Sequence, residues 1–593
     1  MKTSFRRIPL IFMLILAFVA SPVALTINAQ TQVAREDTVI FDIDATSIGD
    51  PFNFNVLDNS GSQLPQNGLH QAVLEPLFIL NYETGKIEPY LGTAFTPNST
   101  QDVWTLTLRD GITWSDGVAF SADDVVFTVQ TLLDDKTATL RDAANMQTWV
   151  KTVKKVDAKT VEFDLKAPDP RFQLDYFSVR IWGNFNIVPM HIYKGQDPAT
   201  FKFYDTAKGW PIGTGPYKLT SATPTQFVYD LDPNWWGAKT GFHALPEPKR
   251  LIWVLAGSPQ NKALLMSQHQ LDSAMNIPLT AFQAIQAKNP NVIAWKDALP
   301  FSWADPCPRE LEFNTEDPTW KDANLRKAVS LIVDRTSNVN IAYQGTTTAS
   351  TTMFVSYGGM QSFIDAITKA GYAAPATGDV AGGQKLIEAA GYAKNSSGIY
   401  EKDGKTLDMN IIVPNDTQEY TLSNNELVEQ LQKAGINASS QPVNGSTETN
   451  DNATGKYQAE WQWHTCGSVN EPWVSLNQLN VKYYKPTGTL GTPGLDSERW
   501  NTDGAKAYSK IVDQIGSLPL GDPSVPGLVA QAYKFINDET PVIPLVQAAK
   551  LVPFDTTYWT NWPTAKNNYN HPATWWNSTY DIILNLHKAT KAS

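Results

Sequence analysis

Leu108-Arg109-Asp110-Gly111-Ile112-Thr113-Trp114-Ser115-Asp116-Gly117, followed closely by Phe120-Ser121-Ala122-Asp123-Asp124-Val125, decides how the rest of the chain is read. Trp104, Leu106 and Leu108 alternate with Thr105, Thr107 and Arg109, the period-two pattern of a half-buried strand. Asp110-Gly111 supplies a turn before Ile112 and Trp114. Ser121 and Asp124 then form the Ser-x-x-Asp version of a capping box, and Val125, Val126, Val129, Leu132 and Leu133 keep helical spacing. Outward from this unit the same alternation continues. A helix is predicted from Asp322, with Leu325, Ala328, Val329 and Ile332 on one face, and another through Leu422 to Leu431, stopped by Gly435. Asp403-Gly404 reads as a hairpin turn. No 30-residue period runs through the chain, which excludes solenoids and propellers. The pattern is that of a mixed α/β protein.

The chain has 593 residues, enough for three or more structural units. Lys+Arg 47 against Asp+Glu 59 gives a charge of −12. Residues 1–29 read as a secretory signal peptide: Lys2, Arg6 and Arg7 precede the apolar run Ile8 to Ala20, with Ala29 a cleavage point. Without that leader the balance is 44 basic to 59 acidic, or −15. So acidic a chain lacks the footprint of a nucleic-acid or anionic-lipid binder. No cysteine near the cleavage region offers a lipid anchor, so a periplasmic or secreted location is expected. The two cysteines, Cys307 and Cys466, are expected to pair as a disulfide in an exported protein; two buried thiols are the alternative. Trp 19 beside Tyr 21 and Phe 25 is the unusual feature of the composition, since Trp is favoured at contact surfaces.

Catalytic motifs are missing. There is no Gly-x-Ser-x-Gly, Ser-x-x-Lys, His-Glu-x-x-His or Cys-x-x-Cys, and the seven His are scattered singly, so no metal site is expected. Gly404-Lys405-Thr406 resembles a phosphate-loop ending, but Gly398 stands one residue too far away. No cofactor is implied. The informative stretch is Trp461-Gln462-Trp463-His464-Thr465-Cys466-Gly467-Ser468-Val469-Asn470-Glu471-Pro472-Trp473. Flat indole faces beside neutral donors and acceptors suit an uncharged, hydroxyl-rich ligand. The competing reading places Trp461 and Trp463 on a buried strand with His464 a satisfied core group.

The opening segments resemble the signature of family 5 extracellular solute-binding proteins, the peptide, nickel and oligosaccharide receptors of bacterial ABC importers. Gly213-Thr214-Gly215-Pro216-Tyr217, Pro233-Asn234-Trp235-Trp236-Gly237, Phe313-Asn314, Leu325-Arg326-Lys327-Ala328, Asp334-Arg335, Ala389-Ala390-Gly391-Tyr392 and Pro541-Val542-Ile543-Pro544-Leu545 follow in the family's order. The resemblance implies an α/β, two-lobed periplasmic-binding-protein-like fold with an additional domain. The first lobe would be 36–68, 211–300 and 541–593, the extra domain 69–210 and the second lobe 301–540. It further implies a monomer that is not an enzyme, encloses a small-molecule ligand by lobe closure and docks on a membrane permease.

In peptide-binding relatives a Trp-x-x-Asp-x-x-Asp-Pro segment holds the peptide ammonium on its first Asp. Here Glu471-Pro472 matches the ending, Ser468 takes the first Asp's place, and no acid lies between Glu460 and Glu471. A buried ammonium without a counter-charge costs several kcal/mol. The resemblance therefore points to the oligosaccharide-binding branch, as does Asn568-Tyr569-Asn570-His571-Pro572-Ala573-Thr574-Trp575-Trp576. An oligopeptide receptor and a secreted glycan-active enzyme are the alternatives. Expected ligand contacts are Asn53, Phe54 and Asn55, with Phe52 beside them, the platforms Trp182, Trp210 and Trp303, and Trp461, Trp463, His464, Gly467, Asn470 and Trp473.

Overall fold

Trp104, Leu106 and Leu108 point into a core from the strand Val103–Leu108, and Ser121 caps the helix Ala122–Asp134 with Asp124 closing the box. The computed structural model describes residues 33–43, 45, 47–58, 67–179, 185–415, 418–569 and 579–590. The expected signal peptide at 1–29, Trp182 and the stretch from Asn570 to Trp576 lie outside these. Asp322 caps the helix Ala323–Ile332, and Gly435, at φ +105°, follows the helix Gln418–Ala434. Asp403 and Gly404 both take positive φ between Tyr400–Lys402 and Lys405–Thr406, the geometry of a type I′ hairpin.

The first lobe is a four-stranded sheet. Thr38–Asp42 lies parallel to Arg250–Val254, which continues antiparallel to Gln226–Leu231 and then Tyr217–Ala222. Beside it the extra segment folds a four-stranded antiparallel sheet from Gly92–Pro97, Val103–Leu108, Thr160–Leu165 and Val150–Lys155. The two share one continuous apolar core, in which Phe95, Trp104 and Leu106 belong with Tyr217, Tyr229 and Trp253. The family-motif pair Trp235 and Trp236 is buried here, each indole N–H donating to Glu75, at 3.1 and 2.7 Å.

The second lobe is a five-stranded sheet in the order Asn437–Val443, Asp408–Pro414, Ala459–Gln462, Arg309–Phe313, Val542–Val546. The sequence division at 541 therefore falls too early. Val542–Val546 is a fully buried edge strand of the second lobe, antiparallel to Arg309–Phe313, and an edge position tolerates Pro544 because no ladder donor is needed there. The chain returns to the first lobe just afterwards. Trp303–Ala304, leaving the first lobe, pairs antiparallel with Ala549–Lys550, which comes back. Phe554–Asp555 then pairs with Val292–Ile293, and the Trp559 indole donates to the Thr38 carbonyl at 2.9 Å. No helix among the described residues is long and apolar enough to cross a membrane.

Candidate functional site

The two crossing strands form the floor of a cavity of about 190 Å³ between the lobes. Trp295 and Lys296 reach it from the first lobe, Tyr82 and Glu83 from the extra segment, and Thr346 to Thr348 with Tyr357 from the second lobe. Asn568 closes one side. Trp303, Tyr82 and Tyr357 form an aromatic triangle. Trp303 lies 6.1 Å from Tyr82 and 6.2 Å from Tyr357, and the two tyrosines are 5.5 Å apart and edge-on. The Tyr357 hydroxyl donates to the Ala304 carbonyl and fixes the second-lobe wall to a crossing strand.

The polar lining is neutral where it is buried. Ser302 Oγ, Gln547 Oε1 and Asn568 Oδ1 are sealed from bulk solvent and have no hydrogen-bond partner. All three residues line the cavity, and the three atoms themselves are turned away from its accessible space. Gln547 is held in place by its own amide, which donates to Ser350 Oγ at 2.6 Å, and Asn568 by donation to Glu83 Oε2 at 2.6 Å. The charged lining groups, Glu83 and Lys296, are solvent-exposed at the rim.

Of the contacts expected from the sequence, Trp303 lines this cavity. Phe54 stacks on Tyr204, Asn53 donates to Asp58 at 2.7 Å, and Asn55 joins Pro198 and Tyr193, so this loop packs against the end of the extra segment. Trp210 sits edge-on to Phe201, with the Lys208 ammonium 4.6 Å from its ring centre. Trp461 is fully buried: Tyr420 covers it at 4.6 Å and its indole donates to Ser423. Its neighbour Trp463 packs on the same second-lobe core. Trp461 lies on the buried strand Ala459–Gln462, whereas Trp463, just past its end, is half-buried against the same core.

His464 meets Glu312 at 3.0 Å on the opposite face. Gly467 donates to the Pro306 carbonyl from a left-handed turn at φ +106°, beside the Cys307–Cys466 disulfide. Glu471 accepts from the backbone N–H groups of Trp473 and Val474 and so caps the helix Trp473–Asn477. Asn470 and Trp473 face the extra segment, where Asn470 donates to the Gly85 carbonyl at 2.9 Å. Tyr82, Trp295, Ser302, Tyr357 and Gln547 also line the cavity without having been expected contacts, and Asn568 lines it from the 568–576 stretch. Leu299-Pro300 ahead of Ser302-Trp303 was the one local hint of a crossing point.

Two lobes joined by two crossings, with a lined cavity between them, define a protein built to enclose a small molecule. The chain belongs to the bacterial extracellular solute-binding proteins, family 5, whose middle-region model matches residues 86–485. The family is one of solute binding rather than catalysis. Protein XP55 of Streptomyces lividans is 26% identical over 59% of this chain and 58% of that protein. The periplasmic alpha-galactoside-binding protein of Rhizobium meliloti is 23% identical over 67% of this chain and 60% of that one. The aligned region thus spans less than two thirds of either relative. The fold matches the periplasmic oligopeptide-binding protein of a Thermotoga maritima oligopeptide ABC transporter, with TM-score 0.78, 23% identity, and coverage of 94% of this chain and 100% of that one. A mannohexaose-bound structure of the same protein gives TM-score 0.73 over 95% of this chain and 100% of that one, again at 23% identity.

Proposed function

We propose that this chain is the extracellular receptor of an ABC importer, capturing a short neutral oligosaccharide between its lobes and delivering it to a membrane permease. The observation that carries the reading is the cavity wall: the Trp303–Tyr82–Tyr357 triangle beside the neutral polar side chains of Ser302, Gln547 and Asn568. Sugar hydroxyls both donate and accept, so they satisfy amide and hydroxyl oxygens without bringing charge into a low-dielectric site. Their ring C–H faces pack on aromatic surfaces, and a few placed polar groups among apolar walls are the usual make-up of a small-molecule site. The mannohexaose bound by one structural relative and the alpha-galactoside of one sequence relative support the sugar reading. An exported leader and the absence of a membrane-spanning helix among the described residues fit a periplasmic or secreted receptor.

Glu83 and Lys296, of opposite charge on one rim, favour a second reading in which a short peptide places its two termini there. Titration of intrinsic Trp fluorescence with manno-, galacto- and cello-oligosaccharides and with di- to pentapeptides separates the two. A saturable response to a sugar series and none to peptides is the expected result; the reverse assigns a peptide receptor.

A further inference from the structure

The sheet of the second lobe buries acids on the face away from its core. Glu310 stands opposite Gln462 and Glu312 opposite Glu460 in the antiparallel pairing of Arg309–Phe313 with Ala459–Gln462. Leu311, Phe313, Ala459 and Trp461 take the other face, in the apolar core. A strand face of alternating polar residues is ordinarily wet, yet Glu310, Glu312 and Glu460 are 0% exposed and Gln462 1%. Like charges directly opposite on neighbouring strands repel, and burial amplifies that repulsion.

Glu460 Oε1 accepts from Asn452 Nδ2 at 2.5 Å, and its carboxylate lies within hydrogen-bond reach of the Glu312 carboxylate. His464 enters from the end of the strand and sets Nδ1 3.0 Å from the Glu312 carboxylate. One atom each from Glu312, Glu460 and His464 lies within 4.8 Å of the others. Ligand atoms about 2.0–2.2 Å from a common cation stand roughly 3 Å or slightly more from one another, so small rotamer shifts bring these three onto one ion. Glu312 and Glu460 face each other across the strand pair with no solvent between them. Two solutions to such a pair exist: a shared proton, or a cation.

We propose that Glu312, Glu460 and His464 bind one divalent cation of the zinc class, at a site separate from the ligand cavity. Two carboxylates with an imidazole nitrogen suit a borderline transition metal, whereas a calcium site would be built from oxygens alone. The ion joins two neighbouring strands to the segment that carries Cys466, replacing repulsion inside the sheet by a shared bond. None of the three residues lines the cavity.

The test uses the untagged full chain, stripped with chelator and titrated with Zn²⁺ by calorimetry, with Mn²⁺ and Ca²⁺ as separate probes. One equivalent of Zn²⁺ and a raised Tm are expected. Glu460→Gln keeps the shape and relieves the repulsion, so its folding is not at stake. It is expected to lower Zn²⁺ affinity at least about 100-fold, beyond the range seen for outer-shell losses, with no fall in the metal-free Tm. His464→Ala is expected to lose the same binding. Stoichiometric Zn²⁺ binding unchanged in Glu460→Gln, no binding by the stripped wild type, or a preference for Ca²⁺ over Zn²⁺ each overturns the proposal.

Discussion

The guanidinium of Arg171 lies 3.8 Å from the centre of the Trp473 indole, joining the extra segment to the second lobe. Arg171 also donates to the Gly516 carbonyl at 2.8 Å, and a Cβ placed on Gly516 would stand 2.4 Å from Trp473 Nε1. A movement of the second lobe away from the extra segment would break this contact. A ligand that binds the closed form better is helped by every contact that favours closure.

Arg171→Ala and Gly516→Ala are each expected to weaken ligand binding by about 5–30-fold, since a partly desolvated cation–π contact with its hydrogen bond is worth about 1–2 kcal/mol. Calorimetry with the identified ligand reads the loss. Small-angle scattering of the unliganded protein should show a larger radius for both variants, and an unchanged radius with unchanged affinity removes the contact from the closing equilibrium.

Trp303→Ala should abolish the sugar-induced fluorescence change, while Trp303→Phe keeps a weaker one. The ring is 5% exposed and packed between two tyrosines, so truncation also costs about 3–5 kcal/mol of packing. Circular dichroism and Tm of both variants separate lost folding from lost binding. Retained affinity in a folded Trp303→Ala protein removes this side chain from the site.

Burial pushes the Glu75 carboxyl up to about 8, against the hydrogen bonds from Trp236, Thr214, Trp235 and Tyr90. The folded state therefore holds a proton that the unfolded state releases near 4.5. The stability this contributes is fully present below about pH 4.5 and is lost as pH rises through about 8, an effect of roughly 3–5 kcal/mol across that window. Glu75→Gln is expected to flatten the fall of Tm with pH. Its Tm is lower than wild type at pH 5, because an amide NH₂ faces one indole N–H, and the difference shrinks by pH 8. Parallel Tm profiles for the two proteins exclude a protonated Glu75.

The Cys307–Cys466 bridge spans a separation of 159 residues. Chain-entropy reasoning assigns such a loop about 5 kcal/mol of stabilisation. The double Cys→Ser variant is expected to lose a comparable amount in urea unfolding of the second lobe, and an unchanged midpoint would show that the denatured loop is already constrained.

The local rules were legible. Ser121 and Asp124, the Asp403-Gly404 turn and the helix after Asp322 depend on neighbours in sequence, and they fold as written. Of the residues that line the cavity, Trp303 is the one expected from the sequence as a ligand contact. Trp461 and Trp463 looked like cleft residues because their chemistry suits a sugar, but which side of a strand faces a cleft depends on the sheet behind it. That sheet is assembled from strands as far apart as Arg309–Phe313 and Val542–Val546. The same long-range pairing hid Gln547, which reaches the cavity because the chain returns through it.

The paired crossings at Trp303–Ala304 and Ala549–Lys550 make the second lobe an insertion within the first. As the chain is synthesised, the second lobe has all its strands once Val546 has been made. The first lobe still lacks Phe554 and Trp559, and Thr38 waits for the indole that will bond its carbonyl. Maturation thus runs inside out: the lobe that begins first is finished last. A receptor cut short by a few dozen residues would retain a complete second lobe and lose the first, with no cavity between them.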